Sequence, residues 1–213
     1  MQFNERITPD ERWIVSFILL IAIGGFILLT LSVRNGTWTH FDQSILTWFH
    51  KIKNPTLDQF FSTVTWLGSL WVLLPLYILL SLLLSHTFDN FEKVLGIGFW
   101  GATLTTYALK YTLERKRPHF FSTIYEVPID PSFPSAHTVQ VITFSVLLWL
   151  IICTTPSLIT TILGVVLFVI SLMVVISRMY LQVHFPSDVL AGGLVAIAWI
   201  SISILAAKAG VSP

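Results

Sequence analysis

The chain of 213 residues is poor in charge, since Asp, Glu, Lys and Arg make up 11% of it, whereas soluble domains contain about 25%. Hydrophobic residues make up 54%, and the mean hydropathy is +0.80. A formal net charge of +1 gives no electrostatic basis for binding nucleic acid. The composition therefore indicates a protein whose main solvent is lipid, and the length predicts a single domain over residues 1–213.

Cysteine is almost absent as well. Cys153 is the one cysteine of the chain, and it lies in an apolar run. One cysteine cannot form an internal disulfide, and its neighbours give no sign of a metal cluster. We therefore expect Cys153 to be a small buried apolar residue, and we predict no metal site and no cofactor.

Long apolar runs are frequent instead. The first covers residues 14–33, which is long enough to cross a hydrocarbon core of about 30 Å, and it starts too late for a cleavable signal. Further runs follow at 66–85, 94–109, 139–153, 158–176 and 189–207. Backbone in lipid must satisfy its own hydrogen bonds, so each run is predicted to be a helix. The predicted fold is all-α, a six-transmembrane helix bundle.

The connection between the first two spans, residues 34–65, mixes apolar and polar residues. Its apolar residues include Trp38, Phe41, Ile45, Trp48, Phe49 and Ile52, and its polar residues include His40, Asp42, Gln43, His50, Lys51 and Lys53. This spacing favours an amphipathic segment that lies in the membrane interface, with its tryptophans at headgroup depth. A packed loop is the alternative, and the sequence leaves both open.

Six spans would place the connections alternately on the two membrane faces. The loops at 34–65, 111–135 and 177–188 then share one face, opposite both termini. When Lys110, Arg117 and Arg178 are set aside as functional, five cations remain on this face and four on the other. The positive-inside rule therefore assigns no orientation.

Three short segments on the shared face contain residues suited to phosphate chemistry. They are Lys110 with Arg117-Pro118, then Pro134-Ser135-Ala136-His137, then Ser177-Arg178 with His184 and Asp188. Lys110, Arg117 and Arg178 lie beside an apolar core, where an unpaired charge is costly, so they require an anion. Two arginine forks and a lysine can bind several phosphate oxygens. Ser135 and the free N–H groups at 136–137, where a helix starts, add further donors.

The two histidines of these segments suit different steps of phosphoryl transfer. His184 has a carboxylate four residues on, Asp188, which can keep one ring nitrogen protonated and leave the other free to attack phosphorus. His137 has no carboxylate nearby in sequence and is the better general acid, which would protonate the leaving oxygen and then activate water. Because one group serves twice, no metal ion is required.

These motifs resemble those of the type 2 phosphatidic acid phosphatase family, which has Lys and Arg-Pro with six residues between them, then Pro-Ser-Gly-His, then Ser-Arg followed by His and Asp at the same spacings. The resemblance implies that phosphate is bound by Lys110, Arg117, Arg178, Ser135 and the backbone at 136–137, with His137 as acid, His184 as nucleophile and Asp188 as its orienting partner. Ala136 departs from the usual glycine, and its methyl group narrows the approach to the phosphate and the room for a diphosphate. The resemblance also implies a multi-pass cell-membrane protein with an extracytoplasmic active site and cytoplasmic termini.

The motifs and the resemblance together predict a metal-independent membrane lipid phosphatase that works through a phosphohistidine. Small bacterial members that this chain resembles act on phosphatidylglycerophosphate, phosphatidic acid or undecaprenyl diphosphate, and the sequence does not choose among them. A lipid phosphotransferase with the same phosphohistidine is one alternative. A non-catalytic phospholipid carrier or transporter is another, disfavoured because the runs at 14–33 and 158–176 are almost purely apolar. The expected partners are the lipid substrate and the bilayer, with no nucleic acid and no obligate protein partner.

The remaining charged and histidine residues near the motifs have no such context. Arg115 and Lys116 are expected to be ordinary residues at a helix end, with their charges reaching toward water. His40, His50, His86 and His119 are interpreted as structural.

Overall fold

The computed structural model describes residues 9–88, 91–121, 128–153 and 156–209, and this part of the chain is helical and contains no strand. The helices are α1 (Pro9–Arg34), α2 (Thr39–Lys51), α3 (Pro55–Val64), α4 (Leu70–Leu84), α5 (Ile97–Leu113), α6 (Ala136–Ile152), α7 (Leu158–Tyr180) and α8 (Pro186–Ala209). A 3-10 turn at Thr65–Gly68 joins α3 to α4, and a π-helical turn at Glu92–Gly96 leads into α5. The predicted all-α class is confirmed.

Several helices are apolar enough to cross a membrane. Three of those described also have the length to do so: Glu11–Arg34, Leu158–Tyr180 and Pro186–Ala207. Pro55–Gly68 and Leu70–Leu84, bent by 45° at their junction, make a fourth if they are one broken span. Helices α5 and α6 have 17 residues each, which is about 26 Å and shorter than a hydrocarbon core. The chain is a membrane protein, and the count of six spans stays a prediction.

Helix α6 lies at the centre of the bundle and packs against α5, α7 and α8, while α1 packs along α8. Its apolar side chains meet those of α5, as in the edge-to-face pair of Phe99 and Phe144, whose ring centroids are 5.6 Å apart. The outer faces of α1 and α7 leave large apolar side chains exposed, such as Phe17 and Phe168. Exposed apolar faces on long helices are suited to contact with lipid.

The connection at 34–65 is helical rather than a packed loop, and it contains two helices instead of one. Asn54 lies between α2 and α3, and its side chain accepts a hydrogen bond from the Leu57 N–H at 3.0 Å, which caps the start of α3. Phe49 of α2 packs edge-to-face on Tyr180 of α7 at 6.2 Å, whereas Trp48 is 54% exposed. The position of this segment in the membrane interface stays a prediction.

The three motif segments meet at one end of the bundle. Helix α8 approaches the start of α6 closely at Gly192, where a Cβ atom would lie 2.9 Å from the carbonyl oxygen of Ser135. The Ser135 N–H donates to the carbonyl oxygen of Asp188 at 3.1 Å. The second and third motif segments are therefore joined through their backbones.

Candidate active site

A cavity of about 610 Å³ lies where the motif segments meet. Its lining includes Lys110, Arg117, Asp130, Ala136, His137, Gln140, Arg178 and His184, together with Ser69, Leu70, Trp71, Leu74, Pro75, Tyr107 and Pro128. Six of the eight site residues predicted from the sequence thus share one cavity. The other two, Ser135 and Asp188, are buried and adjoin the lining.

Three buried cations surround the cavity: Lys110 is 0% exposed, Arg178 3% and Arg117 7%. Asp130 binds two of them, because its Oδ2 lies 2.8 Å from Lys110 Nζ and its Oδ1 lies 2.8 Å from Arg117 NH2. The NH1 group of Arg178 donates to Thr65 Oγ1 at 2.5 Å. Such a concentration of buried positive charge gives the cavity a strong preference for a multiply charged anion.

The His184 ring lies between Asp188 and Arg117. It is 1% exposed and lies in the short link between α7 and α8, where its Nδ1 faces Asp188 Oδ2 at 3.4 Å and its Nε2 lies 3.1 Å from Arg117 NH1. A carboxylate beside Nδ1 favours the tautomer with its proton there, which leaves the Nε2 lone pair facing the cavity. Burial, and then the charges of Arg117, Lys110 and Arg178, lower the pKa of His184 well below its usual range. The ring is therefore neutral at physiological pH.

The carboxylate of Asp188 is held on both oxygens. Its Oδ2 accepts hydrogen bonds from the Phe185 N–H at 2.8 Å and from the Ser132 hydroxyl. Its Oδ1 lies 2.5 Å from NH1 of Arg115. A carboxylate fixed in this way fixes in turn the orientation of the His184 ring.

Arg115 is not an ordinary residue at a helix end, and this prediction was wrong. Helix α5 ends at Leu113, and the next residue, Glu114, has a left-handed φ of 49°. The chain turns there, so that Arg115 reaches α2 and α8. Its NH1 binds Asp188, and its NH2 binds Asp42 Oδ2 at 2.8 Å. The guanidinium carbon lies 4.2 Å from the centre of the Phe185 ring, a cation–π contact. Arg115 is therefore a half-buried link between α2 and Asp188, the partner of His184.

Asp42 and Asp130 are site residues that the sequence motifs do not predict. Asp42 is 1% exposed, and its oxygens also accept hydrogen bonds from the Ser187 N–H at 3.0 Å and the Ser187 hydroxyl at 2.6 Å.

Asp130 has a lowered pKa. Burial alone would raise the pKa of Asp130, but the hydrogen bond and charge of Lys110, together with Arg117, lower it below its usual value. Neither Asp42 nor Asp130 lies in a recognisable motif. The one feature of the sequence that could have indicated them is an acidic residue beside an aromatic residue or a proline.

The start of α6 places the second motif at the cavity. Ser135 is the N-cap residue and is fully buried, and its Oγ accepts a hydrogen bond from Thr138 Oγ1 at 3.0 Å. Ala136, the first residue of the helix, and His137 line the cavity. The backbone N–H groups of this first turn have no partner within the helix, so they are available to an anion.

A smaller cavity of about 260 Å³ adjoins the first one. Its lining is made by Glu114, Arg115, Lys116, Arg117, His119, Pro128, Ile129, Asp130 and Pro131. Arg117, Pro128 and Asp130 line both cavities, so the ion pair of Arg117 with Asp130 lies where the two cavities adjoin.

Known proteins are similar to this chain in sequence and architecture. Residues 92–210 match the family model of the PAP2 superfamily. Phosphatidylglycerophosphatase B of Bacillus subtilis (strain 168) is 28% identical over 171 residues, which cover 78% of this chain and 83% of that relative.

Two solved structures are similar. The crystal structure of the first transmembrane PAP2 type phosphatidylglycerolphosphate phosphatase from Bacillus subtilis superimposes with a TM-score of 0.78 and 25% identity, covering 88% of this chain and 94% of that one. The crystal structure of Aquifex aeolicus LpxE has a TM-score of 0.63 and 27% identity, covering 78% of this chain and 95% of that one. The family match covers more than half of the chain and includes every motif identified above. The chain therefore belongs to the PAP2 superfamily, the type 2 phosphatidic acid phosphatase family that its motifs resemble, and is a membrane lipid phosphatase of that family.

Proposed function

We propose that this protein hydrolyses a lipid phosphate without a metal ion, by transferring the phosphoryl group to Nε2 of His184 and then to water. The observation that carries the proposal is the orientation of this ring. Its Nδ1 faces Asp188 while its Nε2 faces Arg117, in a cavity that three buried cations surround.

In the first step the phosphate of the substrate replaces Asp130 as the partner of Lys110 and Arg117, and Arg178 binds a further oxygen. The Nε2 lone pair of His184 attacks phosphorus, and the bond from phosphorus to the ester oxygen breaks. Protonated His137 donates its proton to that oxygen, so that the lipid leaves as an alcohol. The cations stabilise the charge that spreads over the equatorial phosphate oxygens.

In the second step the phosphohistidine is hydrolysed. His137, now neutral, takes a proton from water, and the hydroxide forms a new bond to phosphorus as the phosphorus–nitrogen bond breaks. Inorganic phosphate leaves, His184 returns to its neutral form, and His137 is again protonated. Asp188 holds the His184 ring in one orientation and stabilises the positive charge of the phosphorylated ring.

The lipid substrate is proposed from the cavity wall and the relatives. Leu70, Trp71, Leu74 and Pro75 of α4 form an apolar side of the cavity, and Trp71 is 84% exposed, so an acyl chain can run from the cavity to the lipid-facing surface. The names of a relative and of a similar structure favour phosphatidylglycerophosphate over phosphatidic acid and undecaprenyl diphosphate. An extracytoplasmic site with cytoplasmic termini is part of the proposal and rests on the family resemblance.

The test is phosphate release by the purified protein in detergent, with a chelator present, from these three lipids. We expect release by the wild type, loss of release and of phosphoenzyme in His184→Ala, and normal release in the matched control His86→Ala, an exposed histidine outside the cavity. Release by His184→Ala, or a requirement for magnesium, would overturn the mechanism. Phosphate transfer that occurs only when an acceptor lipid is added would identify a phosphotransferase.

A further inference from the structure

Gln140 places an amide nitrogen that has no hydrogen-bond partner among the described residues in the cavity of the proposed catalytic residues. It is 1% exposed, it lines the same cavity as His137 and His184, and its Nε2 has no hydrogen-bond partner among the described residues. A buried donor of this kind is unfavourable and requires an explanation, such as a bound ligand. Because it follows His137 by three residues on α6, it lies about 4.5 Å further along the helix axis.

The surroundings of Gln140 differ from those of the phosphate. Tyr107, which precedes Lys110 by three residues on α5, also lines the cavity, and Leu74 and Pro75 line it from α4. The cavity therefore has a charged part, formed by the three cations, and an uncharged part that begins one helical turn along α5 and α6. The apolar wall of α4 connects the uncharged part with the lipid-facing surface at Trp71.

We propose, on the basis of the proposed function, that Gln140 binds the leaving group of the substrate, with Nε2 donating to an uncharged glycerol oxygen near the ester oxygen that His137 protonates. In a glycerol phosphate the neighbouring carbon carries such an oxygen, as a hydroxyl or as an ester. This oxygen is three bonds from the scissile one, so a single leaving group can present both oxygens to the first two turns of α6, where His137 and Gln140 lie. The site thus selects a phosphate monoester of a glycerolipid.

The same geometry disfavours a polyprenyl diphosphate. Its leaving group carries a second phosphate directly on the scissile oxygen, and that phosphate would have to enter the uncharged part of the cavity. An amide and a phenol supply hydrogen bonds but no positive charge, and an unpaired charge at this position is costly. Gln140 and the uncharged lining therefore act in the same direction on the choice of substrate.

The decisive variant is Gln140→Met, which removes the amide while keeping the length and approximate volume of the side chain. It is assayed on phosphatidylglycerophosphate, on phosphatidic acid, and on dodecyl phosphate, whose leaving group has no oxygen beyond the scissile one. We expect kcat/KM to fall about tenfold for the glycerolipids, as for the loss of one hydrogen bond, and to stay unchanged for dodecyl phosphate. Melting temperature should stay the same or rise, since an unpartnered donor is removed.

Thr143→Val is the matched control. Thr143 lies on the same helix, is 0% exposed and has a hydroxyl without a partner among the described residues. It should leave the ratio between glycerolipid and dodecyl phosphate unchanged. If Gln140→Met does not fold, Gln140→Asn, which withdraws the amide by one methylene group, should lower the same ratio.

The outcomes separate the two proposals. A loss on both glycerolipids would show that Gln140 binds the oxygen on the neighbouring carbon whether it is a hydroxyl or an ester. A loss on phosphatidylglycerophosphate alone would show that Gln140 binds only the hydroxyl of its head glycerol. An equal loss on all three substrates, no loss on any, or a wild type that prefers undecaprenyl diphosphate would overturn the role of Gln140. No phosphate release by the wild type, or release that persists in His184→Ala, would overturn the proposed function instead.

Discussion

Arg115 and Asp188 form an ion pair, with NH1 and Oδ1 2.5 Å apart, on the carboxylate oxygen that does not face His184. The other end of the guanidinium binds Asp42 of α2 at 2.8 Å. The Asp188 side chain is 0% exposed, so its position depends on these partners. Arg115 therefore positions the partner of the proposed nucleophile without lining the cavity that we propose as the phosphate site.

Replacing Arg115 should slow chemistry more than binding. Arg115→Met is expected to lower kcat on the order of 10- to 100-fold, the usual cost of losing an outer partner of a catalytic histidine, with KM and the inhibition constant of inorganic phosphate nearly unchanged. Arg115→Lys should recover part of kcat, because it keeps the charge but not the fork. Lys116→Met, which removes an exposed neighbouring charge, is the control. A wild-type kcat in Arg115→Met would contradict this role.

Asp130 should compete with phosphate, since it binds Lys110 and Arg117 at 2.8 Å each. Asp130→Asn removes the competing charge, and the inhibition constant of inorganic phosphate should fall by roughly tenfold, as expected for one charge-assisted hydrogen bond. Glu114→Gln, which neutralises an exposed carboxylate in the same loop, should have no such effect. Weaker inhibition by phosphate in Asp130→Asn would instead mean that Asp130 orients the cations.

The acid limb of the pH profile should reflect His184. Its pKa is lowered by burial and by the cations around it, so the neutral nucleophile persists as the pH falls through about 6.5, the ordinary value of histidine. The charged or titratable groups that face it are Lys110, Arg117, Asp130, His137, Arg178 and Asp188.

The charge of Asp130 raises the pKa of His184, so removing that charge should lower the pKa of His184. In Asp130→Asn the acid limb of kcat/KM should therefore lie at lower pH than in the wild type. Both enzymes are assayed on the same substrate, so that the ionisation of the substrate affects both profiles equally. The comparison reports the free enzyme, because it uses kcat/KM. A limb that moves to higher pH would exclude His184 as the group that must be neutral.

Ala136 should restrict the size of the phosphate group. Its methyl group lies at the cavity and on the first residue of α6, so Ala136→Gly widens the approach while the backbone N–H remains. We expect the ratio of kcat/KM for undecaprenyl diphosphate to that for phosphatidic acid to rise about tenfold, the scale of one methyl group in a pocket. A ratio that stays constant would show that the methyl group does not limit the site.

The sequence alone determined the class and the family of this protein. The apolar runs predicted the helices, because they are longer than the core of a soluble protein requires. Three ordered motifs between Lys110 and Asp188 predicted the PAP2 family. These features could be read because each depends on residues close together in the chain. His184 and Asp188, for example, are four residues apart, so the start of α8 brings them together.

Only the tertiary structure decided which polar residues support the motifs. Arg115 binds Asp42, which is 73 residues away in sequence, and Asp130, which lies in a loop, binds Lys110. Gln140 lines the cavity from a helix whose other residues are mostly apolar. None of these residues has a pattern of its own, since charge and amide groups are common at helix ends and in loops. Their roles depend on how α2, α5, α6 and α8 pack, because a contact between distant segments is set by the shared burial of whole helices and leaves no local spacing in the chain.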